Sequence, residues 1–220
     1  MILGGFQKSS LIDYPGKVSS IVFTKGCNFR CFYCYNKELW ENNGHSEVDE
    51  QDVLDYLDKR RGMIDALVIT GGEPTLQPDL LDFMAQVKAK GYLVKLDSNG
   101  AKPEIIREAL KKNLVDYLAM DIKASLEKYE DVTKVNINQD HIKESIEILK
   151  SSGKPYEFRT TFCTPILGEE DIARIGQLLG KCKQYILQPC HYDGIDQGDL
   201  GKDLKLYRQS FPQISKCFVR

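Results

Sequence analysis

The feature that most narrows the folds open to this chain is an alternation. Short apolar runs of β character recur, and each is followed by a stretch whose apolar residues fall at helical spacing. The β-like runs are residues 18–25, Ala66 to Thr70, Tyr92 to Leu96, Val115 to Met120, Tyr156 to Phe162 and Gln184 to Gln188. Helical spacing is carried in turn by Val53, Leu54 and Leu57, then Leu80, Leu81, Phe83, Met84 and Val87, then Ile105, Ile106, Ala109 and Leu110. It returns in Ile142, Ile146 and Leu149, and again in Ile172, Ile175, Leu178 and Leu179. Asp49 is placed to cap the first helix, and Pro103 suits a helix start. Residues 1–17 read as polar, with a turn at Asp13-Tyr14-Pro15-Gly16. The tail after Gly201 reads as one helix, Asp203 to Ser210, and a short final strand.

Short connections between alternating strands and helices imply parallel strands joined by right-handed crossovers. Six such strands are fewer than the eight of a closed barrel. The expected fold is therefore α/β, a partial, open (β/α)6 TIM-like barrel. One domain is expected over residues 1–220, with a core at about 18–195 and a tail at about 196–220. Polar or glycine-rich residues gather just past the C-terminal ends of the strands, where parallel α/β folds build their sites. These are the cysteines after the first strand, Gly71-Gly72-Glu73-Pro74, Asp97-Ser98-Asn99, Asp121 with Lys123, and His191.

Composition excludes several classes. A net charge of −2 gives no basic footprint for nucleic acid. No apolar run reaches the ~20 residues of a membrane span. The first residues lack the pattern of a signal peptide, so a cytoplasmic protein is expected. With 42% hydrophobic and 28% charged residues, a soluble enzyme is the expectation.

The seven cysteines do not make a disulfide framework. Cys27, Cys31 and Cys34 fall within eight residues, behind a strand and Gly26. Such clustering points to metal binding in a reducing compartment. Cys163, Cys182, Cys190 and Cys217 are scattered, as small buried hydrophobes are. Cys190 abuts His191 and is placed to line a pocket. A structural zinc site usually has four ligands, commonly as paired Cys-x-x-Cys units, and no matching second pair is present. A zinc-binding interaction module is thus the remote alternative. Three thiolates are one short of the four that complete a 4Fe-4S cluster, which leaves one iron open to a ligand.

Cys27-x-x-x-Cys31-x-Tyr33-Cys34 resembles the signature of the radical S-adenosylmethionine (radical SAM) superfamily, and Gly71-Gly72-Glu73-Pro74 resembles its second motif. The chain is similar, more narrowly, to the glycyl-radical-enzyme activating proteins. Lys25-Gly26-Cys27, Cys34-Tyr35-Asn36, Trp40, Asp97-Ser98-Asn99-Gly100, Asp121-Ile122-Lys123, Arg159 and Pro189-Cys190-His191 carry that similarity. The segment from Gly5 to Lys17 most resembles activators of anaerobic ribonucleoside-triphosphate reductase. There are no additional cysteine repeats for the ferredoxin-like insertion of many such proteins, so a one-cluster form is expected.

The resemblance implies roles. Cys27, Cys31 and Cys34 would ligate a single 4Fe-4S cluster. Its open iron would chelate the amino and carboxylate groups of S-adenosyl-L-methionine. Gly71 and Gly72 would let the backbone approach that ligand, with Pro74 closing the turn, and Glu73 would accept from the amino group. Lys123 would neutralise the carboxylate, and Asp121 would accept from ribose hydroxyls. Asp97, Ser98 and Asp121 would also suit a monovalent cation beside that carboxylate. Arg159 would face cofactor or peptide, His191 would contact cofactor, and Tyr33 and Asn36 would meet adenine, with core packing an equal reading for the aromatics. The implied activity is reductive cleavage to a 5′-deoxyadenosyl radical. That radical would take hydrogen from a glycine of a partner glycyl radical enzyme, under anaerobic conditions. A one-electron donor such as a flavodoxin or ferredoxin would be required. A radical SAM enzyme acting on a small molecule or a peptide is the alternative.

Overall fold

The computed structural model describes residues 1–40, 45–163 and 166–190, and the backbone of 214–219. The chain divides into two compact units. The first comprises Met1–Asn28, Asn36–Ser98 and Lys102–Leu118, and the second Phe29–Tyr35, Asn99–Ala101 and Ala119–Arg220.

The first unit opens with strand β1 (Leu3–Ser10), antiparallel to β2 (Ser19–Thr24). Helix α1 (Glu50–Lys59) follows, then β3 (Ala66–Gly71), α2 (Leu80–Ala89), β4 (Leu93–Ser98) and α3 (Pro103–Lys111). β2 runs parallel to β3, and β3 parallel to β4, with Ile21 beside Val68 and Val68 beside Lys95. The helices form where the apolar spacing lies. Asp49 accepts from the Gln51 N–H at 2.8 Å, capping α1, whose Val53, Leu54 and Leu57 are buried. Pro103 is the first residue of α3. Strand residues two apart share a face, so Tyr14, Ile21, Ala66, Val68 and Tyr117 meet in one apolar cluster, with Phe23 and Leu93 at its margin.

Strand β5 (Tyr117–Asp121) contributes its last three residues to the second unit. That unit continues with α4 (Tyr129–Thr133), α5 (Gln139–Ser151), β6 (Tyr156–Phe162), α6 (Glu169–Leu179), β7 (Cys182–Pro189) and β8 (Ile214–Val219). β6, β7 and β8 are parallel neighbours in that order. Ile142, Ile146 and Leu149 of α5 and Ile172, Ile175 and Leu179 of α6 are buried, as their spacing requires.

Two elements depart from expectation. Residues 3–10 form a strand rather than a polar lead-in. Only Leu3 and Ser10 of β1 are buried, and Gly4 and Gly5 weaken its β signal, so pairing with β2 rather than local propensity makes this strand. The five-residue α4 is too short to leave a periodic trace in the sequence. The expected short final strand is β8, whereas the expected helix from Asp203 to Ser210 lies outside the described residues.

Candidate cluster and cofactor site

Gly71, Asp97, Ser98 and Asp121 close their strands, Cys27 and Lys123 lie two or three residues beyond theirs, and Arg159 is the middle residue of β6. In the first unit, Cys27 follows β2. Its N–H bonds the Trp40 carbonyl at 3.2 Å, and the preceding Gly26 N–H bonds Leu39 at 2.8 Å. The Gly71-Gly72 turn after β3 is seated on that segment. The Glu73 N–H donates to the Gly26 carbonyl at 2.8 Å, and the Gly72 N–H to Thr24 at 2.8 Å. Both glycines are required by space. A Cβ on Gly71, where φ is +118°, would lie 2.3 Å from the Thr24 nitrogen, and one on Gly72 would lie 2.2 Å from the Gly26 oxygen. The close backbone approach is thus made to the strand and loop beside it.

Glu73 is 1% exposed. Its Oε1 accepts from the Thr75 N–H at 3.1 Å, the Thr75 hydroxyl at 2.5 Å and the Ser98 hydroxyl at 2.8 Å. It caps the single 3-10 turn that Pro74 opens, so one of its oxygens has a structural duty. Asp97 pairs with the nearly buried Lys95 at 2.8 Å, and Asn36 leads into the 3-10 turn at Lys37–Leu39.

In the second unit, Cys31 is buried and Cys34 half-buried, with the Cys34 N–H on the Cys31 carbonyl at 3.0 Å. Helix α4 fixes this loop. The Arg30 and Phe32 N–H groups donate to Thr133 and Val132 at 2.8 and 3.3 Å. Phe29 meets Tyr129 edge-on at 6.3 Å, and the Lys134 ammonium stands 5.9 Å from the centre of the Phe32 ring. Tyr129, wholly buried, accepts from the Lys123 N–H at 3.3 Å and donates to the Asp121 carbonyl at 3.5 Å. Sequence reasoning assigned Tyr129 nothing. The available signal was the Tyr129-x-x-Val132 pairing in a polar stretch.

Asp121 holds two cations, Lys123 at 2.9 Å on one oxygen and the Arg159 Nε at 2.8 Å on the other. Burial opposes the charge, but the Arg159 and Lys123 cations outweigh it and hold the Asp121 carboxyl far below the usual carboxylate range. Burial likewise works against the Lys123 ammonium, and Asp121 overcomes it, so Lys123 stays protonated. Arg159 also lies 3.9 Å from Glu157, which receives the Gln184 amide at 3.1 Å. The Cys31 thiol is pushed up by burial and drawn partly back by Lys123. The expected contact residue His191 lies outside the described residues.

These residues can be set against known proteins. The sequence profile of the radical SAM superfamily matches residues 21–179. Over 194 residues, 85% of this chain, there is 38% identity to a Methanocaldococcus jannaschii protein assigned as a glycyl-radical enzyme activating enzyme, 79% of which is covered. The pyruvate formate-lyase-activating enzyme of Clostridium pasteurianum is 31% identical over 56% of this chain and 54% of its own length. For the pyruvate formate-lyase 1-activating enzyme of Escherichia coli K12 the figures are 30%, 54% and 50%, so the chain spans about half of each. The chain belongs to the radical SAM superfamily, in its family of glycyl-radical-enzyme activating enzymes. Its fold is the expected partial α/β barrel. It is shared with TYW1 bearing a lysine-pyruvate adduct (TM-score 0.67, 17% identity, 88% of this chain and 72% of that one). It is shared too with an S-adenosylmethionine-bound SuiB of Streptococcus suis (0.66, 12%, 90% and 48%). Among the described residues no helix is long and apolar enough to cross a membrane.

Membership implies a 4Fe-4S cluster and S-adenosylmethionine, and two observations of the second unit bear on their fit. Lys123 and Arg159 bring two cations together on Asp121, with Glu157 3.9 Å from Arg159, so a ligand carboxylate would find both cations in one place. The Tyr33 ring is buried edge-on against Phe32, 5.1 Å away, and its hydroxyl has no hydrogen-bond partner among the described residues. A buried hydroxyl left so is costly, and a ligand's polar edge would satisfy it.

Proposed function

We propose that this chain activates a partner glycyl radical enzyme, with anaerobic ribonucleoside-triphosphate reductase the first candidate. Cys27, Cys31 and Cys34 hold the cluster in this reading. When bound, the cluster and S-adenosylmethionine supply one-electron cleavage of a carbon–sulfur bond and a carbon radical able to take a glycine hydrogen. The chain's own residues bind and orient. Lys123, kept charged by Asp121, receives the methionine carboxylate, and Arg159 adds the second cation. Glu73, held by Thr75 and Ser98, stands with Gly71, Gly72 and Pro74 in the turn that this reading gives to the amino group. Tyr33 and Asn36 serve the adenine, and His191 completes the contact. Ser98 acts by holding Glu73. Asp97 already faces Lys95 and Asp121 has a cation on each oxygen, so this reading needs no monovalent cation there.

The observation that carries the proposal is the tie between the charged groups and the cysteine loop: Tyr129, edge-on against Phe29 of that loop, accepts from the Lys123 N–H and donates to the Asp121 carbonyl. The choice of reductase rests on the Gly5–Lys17 segment. The test is anaerobic incubation of the reconstituted protein with S-adenosylmethionine, a one-electron donor such as a flavodoxin or ferredoxin, and candidate glycyl radical enzymes. A glycyl signal in electron paramagnetic resonance is expected with the reductase. Cleavage of S-adenosylmethionine with no glycyl signal in any candidate would overturn the reading and favour a small-molecule or peptide substrate.

A further inference from the structure

Outside the cluster loop the second unit holds a second arrangement of thiols. Cys163 directly follows β6 and Cys190 directly follows β7. The parallel register places Phe162 beside Pro189, so one further step along both strands sets Cys163 beside Cys190. The Cys190 N–H donates to the Phe162 carbonyl at 3.0 Å and holds this register past the last paired residues. Both side chains are wholly buried. Both are free thiols. Neighbouring strands in a sheet lie about 4.8 Å apart, which falls within the ~4.4–6.8 Å between Cα atoms that a disulfide spans.

Two buried cysteines need not be neighbours. Here they take adjacent positions on adjacent parallel strands, at the strand ends where the family builds its site, and one of them immediately precedes His191 in the sequence. We infer that Cys163 and Cys190 form a reversible dithiol–disulfide couple, a modification site separate from the three cysteines of the cluster loop. The reaction is exchange with a small disulfide. One thiol, deprotonated, attacks a sulfur of the oxidant and expels one thiol molecule. The second then attacks the mixed disulfide and expels the other, so both electrons pass to the oxidant and the Cys163–Cys190 bond forms. Burial pushes both thiols above their ordinary value, which keeps the reduced pair unreactive until the strand ends open. The couple therefore responds slowly to a sustained oxidising shift, and the cross-link ties the end of β6 to the end of β7.

The test uses the reconstituted holoprotein under anaerobic conditions. It is equilibrated with hydroxyethyl disulfide and mercaptoethanol at graded ratios, unfolded, alkylated and mapped by peptide mass spectrometry. The expected result is loss of two alkylatable thiols to a single linkage, Cys163 to Cys190, with unchanged circular dichroism and full recovery after phosphine reduction. In Cys163→Ser, Cys190 is expected to form no protein cross-link and to be found either as the free thiol or as its mixed disulfide with mercaptoethanol. Persistence of both thiols in wild type at every ratio would overturn the inference. So would linkage of either one to another cysteine in comparable yield.

Discussion

Replacing Gly72 by Ala tests whether the second-motif turn is a seat for the cysteine loop. The added Cβ would stand 2.2 Å from the Gly26 oxygen, 2.8 Å from its carbonyl carbon and 3.0 Å from the Leu39 oxygen. All three are backbone atoms, so no side chain can swing away. Restoring ordinary contact means opening the gap by roughly 1 Å, and overpacking of this kind costs ~1–3 kcal/mol. The Gly26 carbonyl that must retreat is also the acceptor of the Glu73 N–H at 2.8 Å. Losing that bond adds about 1 kcal/mol. The expected loss is therefore about 2–4 kcal/mol, or a fall in Tm of about 5–15 °C for a chain of this size. Domains with ~5–15 kcal/mol of stability survive this. The displaced residue precedes Cys27, so iron bound per chain after anaerobic reconstitution should fall more than helical content does. Gly168→Ala is the control, because a Cβ there meets nothing within 4 Å. Urea unfolding of the metal-free proteins and iron assay of the reconstituted ones give the two readouts. If Gly72→Ala matched Gly168→Ala in both, the seating argument would be wrong.

Cys31→Ala should abolish cluster-dependent cleavage of S-adenosylmethionine while circular dichroism stays native; full activity after reconstitution would refute the cluster assignment. Asp121→Asn leaves Lys123 and Arg159 without their shared anion. The Asp121 side chain is 30% exposed, so the cost should be about 2–3 kcal/mol, below the ~3–5 of a fully buried pair. Because Asp121 is held below its unfolded value of about 3.9, its contribution is present above that pH and lost as pH falls. Acid titration of wild type should therefore lose stability more steeply below about pH 4 than Asp121→Asn does; parallel curves would refute the linkage. Asp171 is buried, accepts from Ser125 at 3.0 Å and pairs with Lys128 at 2.7 Å. Asp171→Ala should lower the urea midpoint without altering iron content, and a matching loss of iron would show that the second unit's supports are not independent.

The strand ends were legible because their signals are local. A parallel strand buried on both faces leaves a continuous apolar run, and the polar residues after Ile69, Leu96 and Met120 stand out against it. The cysteine spacing is likewise local. What the sequence could not disclose depends on pairing across the chain. β1 has little apolar content of its own and exists because β2 offers it an edge. Helix α4 is five residues long, yet it holds the cysteine loop through Thr133 and Val132 and supports Lys123 through Tyr129. The neighbouring positions of Cys163 and Cys190, 27 residues apart in sequence, follow only from the register of β6 on β7.

The same distinction separates two kinds of residue among those the motifs selected. Glu73 and Ser98 look alike in sequence, polar groups after a strand, but the structure gives Ser98 the task of holding Glu73. Asp121 and Lys123 also look alike, two charges on one strand face. Their geometry makes Asp121 the partner that keeps Lys123 and Arg159 charged and in place. Two cations this close would repel each other, and Asp121, with one on each oxygen, removes that repulsion. Glu157, buried 3.9 Å from Arg159, balances the second cation, so the four groups sum to zero. Under the proposed function a ligand carboxylate therefore shares Lys123 and Arg159 with resident anions, and replacing Asp121 changes the position of both cations as well as their charge.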